Sequence, residues 1–357
     1  MFESNFVLAV LAFIVVIGPL ILFHELGHFW AARIFNIKVE EFGIGFPPRA
    51  ATLFERKGTV FTLNWIPLGG FVRPAGEDDP DVEGGLASAP PFARFCVLAA
   101  GAFMNMVVAF VLMFIVYMLG APSALPGARI QTVVADSPAA QAGLQAGDII
   151  TAVDDVTVDQ STDLTEYIFA NAGEPILVTL TRAGETLTTT ITPREDPPEG
   201  QGPTGIIIEQ NYEIQQYGPF AALGQASAEM AGFLNTFIQL PRLIVQEEIP
   251  ARYFRPVSVV GISQLGGQQI TESIEENAVW PIVRFTAYIS VALAVTNLLP
   301  IPALDGGRIL FVLIEVVRGK RVKPEHEMTV HFIGFAALLA LMVVFIFLDI
   351  VDPLVVP

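Results

Sequence analysis

The chain has 357 residues, 53% hydrophobic and only 15% charged, with a net charge of −17 and a mean hydropathy of +0.57. So apolar a composition excludes an ordinary soluble protein of this length and indicates an integral membrane protein. Much of the acidity lies between residues 121 and 216, where fourteen carboxylates against three arginines leave −11. That face argues against nucleic acid or anionic lipid as its partner.

The first element is Asn5–Phe23, a nineteen-residue run with no charged side chain, close to the ~20 residues needed to cross hydrocarbon. It carries Glu3 in place of a basic leader and no small-residue cleavage site follows, so it reads as a retained span and not a signal peptide. The run leads directly into His24-Glu25-Leu26-Gly27-His28. On a continued helix, residues four apart share a face, so His24 and His28 present their imidazoles together while Glu25 points about 100° round the same end. Two imidazoles at that spacing suit zinc, and the adjacent carboxylate suits a general base acting on water. Ionisable groups at membrane depth are costly unless paired or metal-bound, which favours a functional reading.

Residues Ile37–Pro74 read as extended chain punctuated by turns. Val60, Thr62 and Asn64 alternate with Phe61, Leu63 and Trp65 between Gly58 and Pro67, which predicts a β-hairpin dipping toward the membrane. Ala75–Pro91 is expected to be a mobile polar loop. A second uncharged run follows, Phe95–Gly120. Cys96 is the only cysteine, so no intramolecular disulfide can form and its role is packing.

Gly127–Gln210 reads as one small soluble domain. Its predicted elements are a strand over Arg129–Val134, a short helix capped at Ser137 and ending at Gly143, and a strand over Ile149–Val153. A helix over Asp163–Asn171 and a hairpin of Ile176–Arg182 with Thr186–Thr192 complete it. Pro219–Gln246 has apolar residues at helical intervals and predicts an amphipathic helix on the outer membrane surface, interrupted at Pro241. A further interfacial element is read over Arg255–Gln264.

The third uncharged run is Phe285–Leu304 and the fourth Phe332–Leu348. Pro300 and Pro302 cannot continue a regular helix, so the third span unwinds there. Unwound chain at membrane depth is tolerated only when buried in protein or lining a polar cavity. Asp305, just beyond, is therefore a candidate third ligand, since a catalytic zinc needs three protein donors and an open position. His326 and His331 compete for that role but follow the basic cluster and read as interfacial. Basic residues gather between spans one and two and between spans three and four, assigning both loops to the cytoplasm, with both termini and the soluble domain outside.

The chain carries H-E-L-G-H, G-I-G-F-P, I-P-L-G-G-F-V, the string N-x-x-P-x-P-x-L-D-G from Asn297 and the segment S-P-A-A-Q-A-G-L-Q-A-G-D-I-I. Together they resemble the site-2 protease family of intramembrane zinc metalloproteases, in its bacterial PDZ-containing branch that cleaves anti-sigma factors. The resemblance implies a four-span α-helical membrane protein with a membrane-associated β-hairpin and one α+β PDZ domain. Its parts are residues 1–120 with the first two spans, 121–216 with the PDZ domain, 217–280 as a linker region and 281–357 with the last two spans. It implies one Zn2+ held by His24, His28 and Asp305, Glu25 as general base, and Asn297 holding substrate backbone or the developing oxyanion. Asn105, in Gly101-Ala102-Phe103-Met104-Asn105, aligns with a substrate-guiding position although the family's proline is absent. Phe61, Thr62 and Leu63 are expected to pair with substrate as an added strand. The implied setting is the bacterial plasma membrane with the active site near the cytoplasmic side. The implied partners are membrane lipid, transmembrane anti-sigma-factor-like substrates or signal-peptide remnants, and an upstream site-1-type protease; no nucleic acid is expected. The rival reading is a non-catalytic PDZ adaptor with a structural zinc, which would have no use for Glu25.

Overall fold

The computed structural model describes Leu8 and residues 10–198, 201–245 and 256–351. The first predicted span's residues 5–7 and 9 and the start of the element read at Arg255 lie outside these. The chain divides into two compact units, Met1–Leu119 with Tyr217–Pro357, and Gly120–Gln216.

Among the described residues of the first unit, four helices are long and apolar enough to cross a membrane: Val10–Ile34, Pro91–Leu119, Trp280–Leu298 and Pro324–Val351. The first passes through a π-helical turn, Phe13–Ile17, and continues as α1, Gly18–Ile34. Close approach of α1 to α2, Pro91–Leu119, depends on Gly27, because a Cβ there would overlap the Ala100 carbonyl. The third apolar helix ends at Leu298, before the two prolines, as the sequence requires.

Two long strands, β1 (Val39–Arg56) and β2 (Thr59–Pro74), each bend back on themselves. They form four runs in the spatial order 49–56, 59–66, 39–46 and 70–74, with opposed register at the two outer seams and parallel register between 59–66 and 39–46. Phe61 lies opposite both Phe42 and Phe54, Thr62 opposite Gly43 and Thr52, and Leu63 opposite Ile44 and Ala51. This corrects the expectation for Phe61, Thr62 and Leu63. Their run is interior, with backbone groups committed on both sides, so no further strand can pair there. Alternation reveals a strand but not how many neighbours it has.

The sheet is tied to α1 by edge-on aromatic contacts of Phe29 with Phe42 and Phe61, with ring centroids 5.4 and 5.7 Å apart. Buried Glu41 accepts from Arg49 Nη2 at 2.7 Å, Arg73 Nη1 at 3.1 Å and the Thr62 hydroxyl at 2.9 Å. Burial works against ionisation of its carboxyl, but those donors hold it below the usual carboxylate range. The loop after β2 is ordered. Ala75 N donates to Lys38 O and Leu86 N to Ala75 O, Leu86 and Ala87 are buried, and Glu77 pairs with Arg308 at 2.6 Å.

Between the spans, two further helices line the bundle. Both belong to the unit that holds α1 and α2. Their labels follow the short helices of the second unit, α3 (Pro138–Gln141) and α4 (Ser161–Ala170). Helix α5, Pro219–Val245, continues through Pro241. It does not lie alone on a surface: Ala226 and Met230 are buried with Ala109 and Met113 of α2 and with Ala287 and Val291 of α7, Trp280–Leu298. Glu229 joins the three helices by accepting from Arg284 Nε at 2.9 Å and from the Tyr117 and Tyr288 hydroxyls. Helix α6, Val259–Glu275, starts at Ser258, whose hydroxyl accepts from Val260 N at 3.1 Å. Helix α8, Asp305–Arg318, stops at Gly319 in a left-handed conformation (φ 65°), and α9, Pro324–Val351, follows.

The second unit is a six-stranded antiparallel sheet. Its main path runs β7 (Glu185–Ile191), β6 (Ile176–Arg182), β4 (Ile149–Val153), β3 (Ala121–Val133), β8 (Ile206–Gln215), and β5 (Val156–Thr157) pairs with β4. Ile130, Ile150, Leu164, Ile176 and Leu180 fill its core. The Ser137 hydroxyl caps α3 by accepting from Ala140 N at 3.1 Å. Buried Asp148 accepts from Arg182 Nε and Nη2, both at 2.6 Å, and from Gln145 N at 2.9 Å. Against the effect of burial, those donors hold its carboxyl below the usual range.

Candidate metal centre

His24 and His28 leave α1 one turn apart and both are buried; their rings meet edge to face with centroids 4.7 Å apart. Asp305 arrives from the opposite end of the chain, at the first turn of α8, where a carboxylate is favoured by the helix dipole. The turn that delivers it runs from Leu299 to Leu304, with Ala303 at φ 77°. It folds closely over Gly306 and Gly307, where a Cβ would collide with the carbonyls of Leu298, Leu299 and Ile301. The D-G-G string is therefore a packing requirement as well as a ligand motif.

His24 Nε2 lies 3.0 Å from Asp305 Oδ2 and 3.1 Å from His28 Nε2, and His28 Nε2 lies 3.4 Å from Asp305 Oδ2. A tetrahedral zinc with bonds of about 2.0–2.1 Å sets its ligands about 3.3–3.4 Å apart. The donor set fits that ion. Its chemistry agrees: the His28 Nδ1 proton goes to the Val97 carbonyl at 2.7 Å, so in the neutral ring Nε2 carries a bare lone pair toward a carboxylate and a second imidazole. Three such acceptors facing one another suit a shared metal cation. Among the described residues this is the one group of three or more His, Cys, Asp or Glu side chains close enough to share an ion.

Glu25 is fixed by the sheet. Its Oε2 accepts from Val72 N at 3.1 Å, on the run 70–74 at the sheet's edge. Gly69 (φ 76°) and Gly70 let that edge lie against Ile21 and Leu22 of α1, where side chains would collide. This explains I-P-L-G-G-F-V as a strand that must touch the motif helix.

Asn105 is also at the centre, with Nδ2 3.4 Å from His24 Nδ1. Asn297 sits half-buried in the last turn of α7 and its side chain makes no hydrogen bond among the described residues. Phe61, Thr62 and Leu63 lie inside the sheet. His331 does not join the cluster: its Nδ1 accepts from Ala303 N at 2.9 Å, supporting the turn before Asp305. His326 is likewise outside the cluster. Val72, Val97 and Gly101 escape sequence reasoning because the first two act through backbone atoms and the third by having no side chain.

The chain matches Peptidase family M50 over residues 12–341. It belongs to that family, the site-2 proteases. A Clostridium acetobutylicum protein is 33% identical over 360 residues, covering 98% of each chain. The regulator of sigma-W protease RasP of Bacillus subtilis is 28% identical over 432 residues, covering 97% of this chain and 99% of its own. The zinc metalloprotease RasP of Geobacillus kaustophilus is 28% identical over 426 residues, covering 96% and 97%. Among solved structures, a PDZ domain of an SdrC-like protein from Listeria monocytogenes is similar at 24% identity and a TM-score of 0.22, over 25% of this chain and 93% of its own. The site-2 protease is thus a membrane-embedded, zinc-dependent metalloprotease.

Proposed function

We propose that this site-2 protease hydrolyses peptide bonds within the transmembrane segments of single-span proteins such as anti-sigma factors or signal-peptide remnants, after another protease has trimmed them. The carrying observation is the meeting of His24, His28 and Asp305 where the third apolar helix breaks, with Glu25 on the motif helix held by an edge strand. His24, His28 and Asp305 would hold the zinc. When bound, it supplies a Lewis acid toward the scissile carbonyl and toward water. Glu25 takes the proton from the attacking water and returns it to the leaving amine, as general base and then general acid. Asn297, near the ligand turn, is the group assigned to the substrate backbone or the developing oxyanion.

A helical substrate hides its peptide bonds in its own hydrogen bonds, so it must be held extended before water can attack. The run 70–74 suits that purpose. One side pairs with 39–44 and the other meets Glu25 through the Val72 amide, so a substrate added at this edge would displace that contact and lie beside the general base. The loops rich in Lys and Arg support a cytoplasmic site, with the Gly120–Gln216 unit outside as a PDZ-type gate.

The test co-expresses single-span membrane proteins of the same organism with the wild type and with Glu25→Gln. Substrates should persist uncut only beside the variant, with about 10²–10⁴-fold slower cleavage and zinc content unchanged. Cleavage at the wild-type rate by Glu25→Gln would reject Glu25 as the base, and the absence of cleavage by the wild type as well would favour an adaptor.

A further inference from the structure

Asn105 is 1% exposed and lies one turn beyond Gly101 on α2, so both face the same side. That side is the wall behind the two histidines. A Cβ on Gly101 would stand 2.5 Å from His28 Nε2 and 2.6 Å from His24 Nε2. The rings occupy the space Gly101 leaves, and Asn105 meets the back of one of them, with Nδ2 3.4 Å from His24 Nδ1. The Asn105 backbone is held too, its carbonyl accepting from the fully buried Ser290 hydroxyl at 2.7 Å.

Two atoms of this arrangement are chemically mismatched. Asn105 Oδ1 is buried with no hydrogen-bond partner among the described residues. His24 Nε2 faces Asp305 and His28, so to offer a lone pair there its ring must carry its proton on Nδ1. A protonated Nδ1 against Nδ2 sets donor against donor. Rotating the amide by half a turn ends the donor clash and gives Oδ1 the Nδ1 proton, leaving the NH2 as the end with no partner among the described residues.

We propose that Asn105 is a positioning residue for the metal. Its side-chain carbonyl accepts the Nδ1 proton of His24, fixing the ring's tautomer and plane and so setting the zinc affinity of the site. The Gly-x-x-x-Asn spacing on α2 then has one purpose, room for the rings and, a turn later, an acceptor for one of them. The inference rests on the ligand assignment of the preceding section and replaces the expectation that Asn105 guides substrate.

The experiment measures zinc affinity by chelator competition on the detergent-solubilised full chain, and the visible absorption of the cobalt-substituted protein. It compares wild type, Asn105→Leu, which keeps the volume and loses the acceptor, and Asn105→Asp, which accepts but cannot donate. Asn105→Leu should bind zinc about 10–100-fold more weakly with an altered cobalt spectrum, and Asn105→Asp should stay close to wild type. Wild-type zinc affinity in Asn105→Leu, above all with a raised KM, would overturn the proposal and return the residue to substrate. Should Asn105→Leu fail to fold, Asn105→Ala takes its place with the same two outcomes, and lost affinity in a folded Asn105→Asp refutes the proposal. His24→Ala and His28→Ala separate the two layers of argument. If they leave zinc binding intact, the ligand assignment falls; if they abolish it while both Asn105 variants behave as wild type, only the role of Asn105 falls.

Discussion

Gly101 shows how much of this centre depends on a missing side chain. The space a methyl group would fill there holds two imidazole nitrogens at 2.5 and 2.6 Å, against about 3.5 Å for an ordinary contact. Gly101→Ala should therefore push both rings aside and weaken zinc binding about tenfold or more, while helix content is retained because Ala favours helix over Gly. Metal analysis beside circular dichroism checks this, and full zinc occupancy in the variant would contradict it. At this scale His24, Glu25 and His28 are legible in the sequence because a helix converts a spacing of four into adjacency. Asp305 is legible because two prolines announce a break. Val97 and Val72, which hold His28 and Glu25, are not, since any residue carries the same carbonyl and amide.

Among the elements, the sheet is where pattern reading and structure part. Alternation over 60–65 correctly implies a strand, and Gly58 a turn, yet the pattern is silent on both strands bending double. The result places 59–66 in the interior and leaves 49–56 and 70–74 at the edges. The two edges can be compared directly in a background without Cys96. Val72→Cys on one edge and Phe54→Cys on the other should differ in forming disulfides with cysteines placed along a substrate segment. The proposed mode predicts crosslinks at residue 72 and few at residue 54; equal yields, or a preference for 54, would defeat it. Helix α5 makes a similar point. Its apolar spacing suggests an amphipathic surface helix, but Glu229 lies among Arg284, Tyr117 and Tyr288, partners drawn from two distant segments. A carboxylate on an apolar face signals such partners without naming them.

For the whole molecule, composition and four apolar runs suffice to indicate a membrane protein, and the acidic stretch between them marks a separate soluble unit. The cut after residue 119 is sharp because β3 and β8, which begin and end that unit, pair with each other, from Ala121 opposite Gln215 to Val133 opposite Ile206. Such a unit can be removed cleanly. Replacing residues 120–216 with a short flexible linker should leave zinc binding intact and broaden the range of membrane proteins cut, as seen by comparing cleaved fragments in membranes with and without the deletion. An unchanged substrate range would end the gate proposal.

Helix α9 is the least buried of the four apolar helices, with Phe332, Ile333, Val343 and Phe347 all exposed. It is pinned near one end, where His331 accepts from Ala303 N and Gly334 abuts Pro302, and near the other, where Asp349 accepts from Ser258 N at 2.8 Å. A rod clipped at its tips and bare along its middle offers the least resistance to sideways displacement. A guest drifting in the plane of the bilayer would find its easiest doorway there.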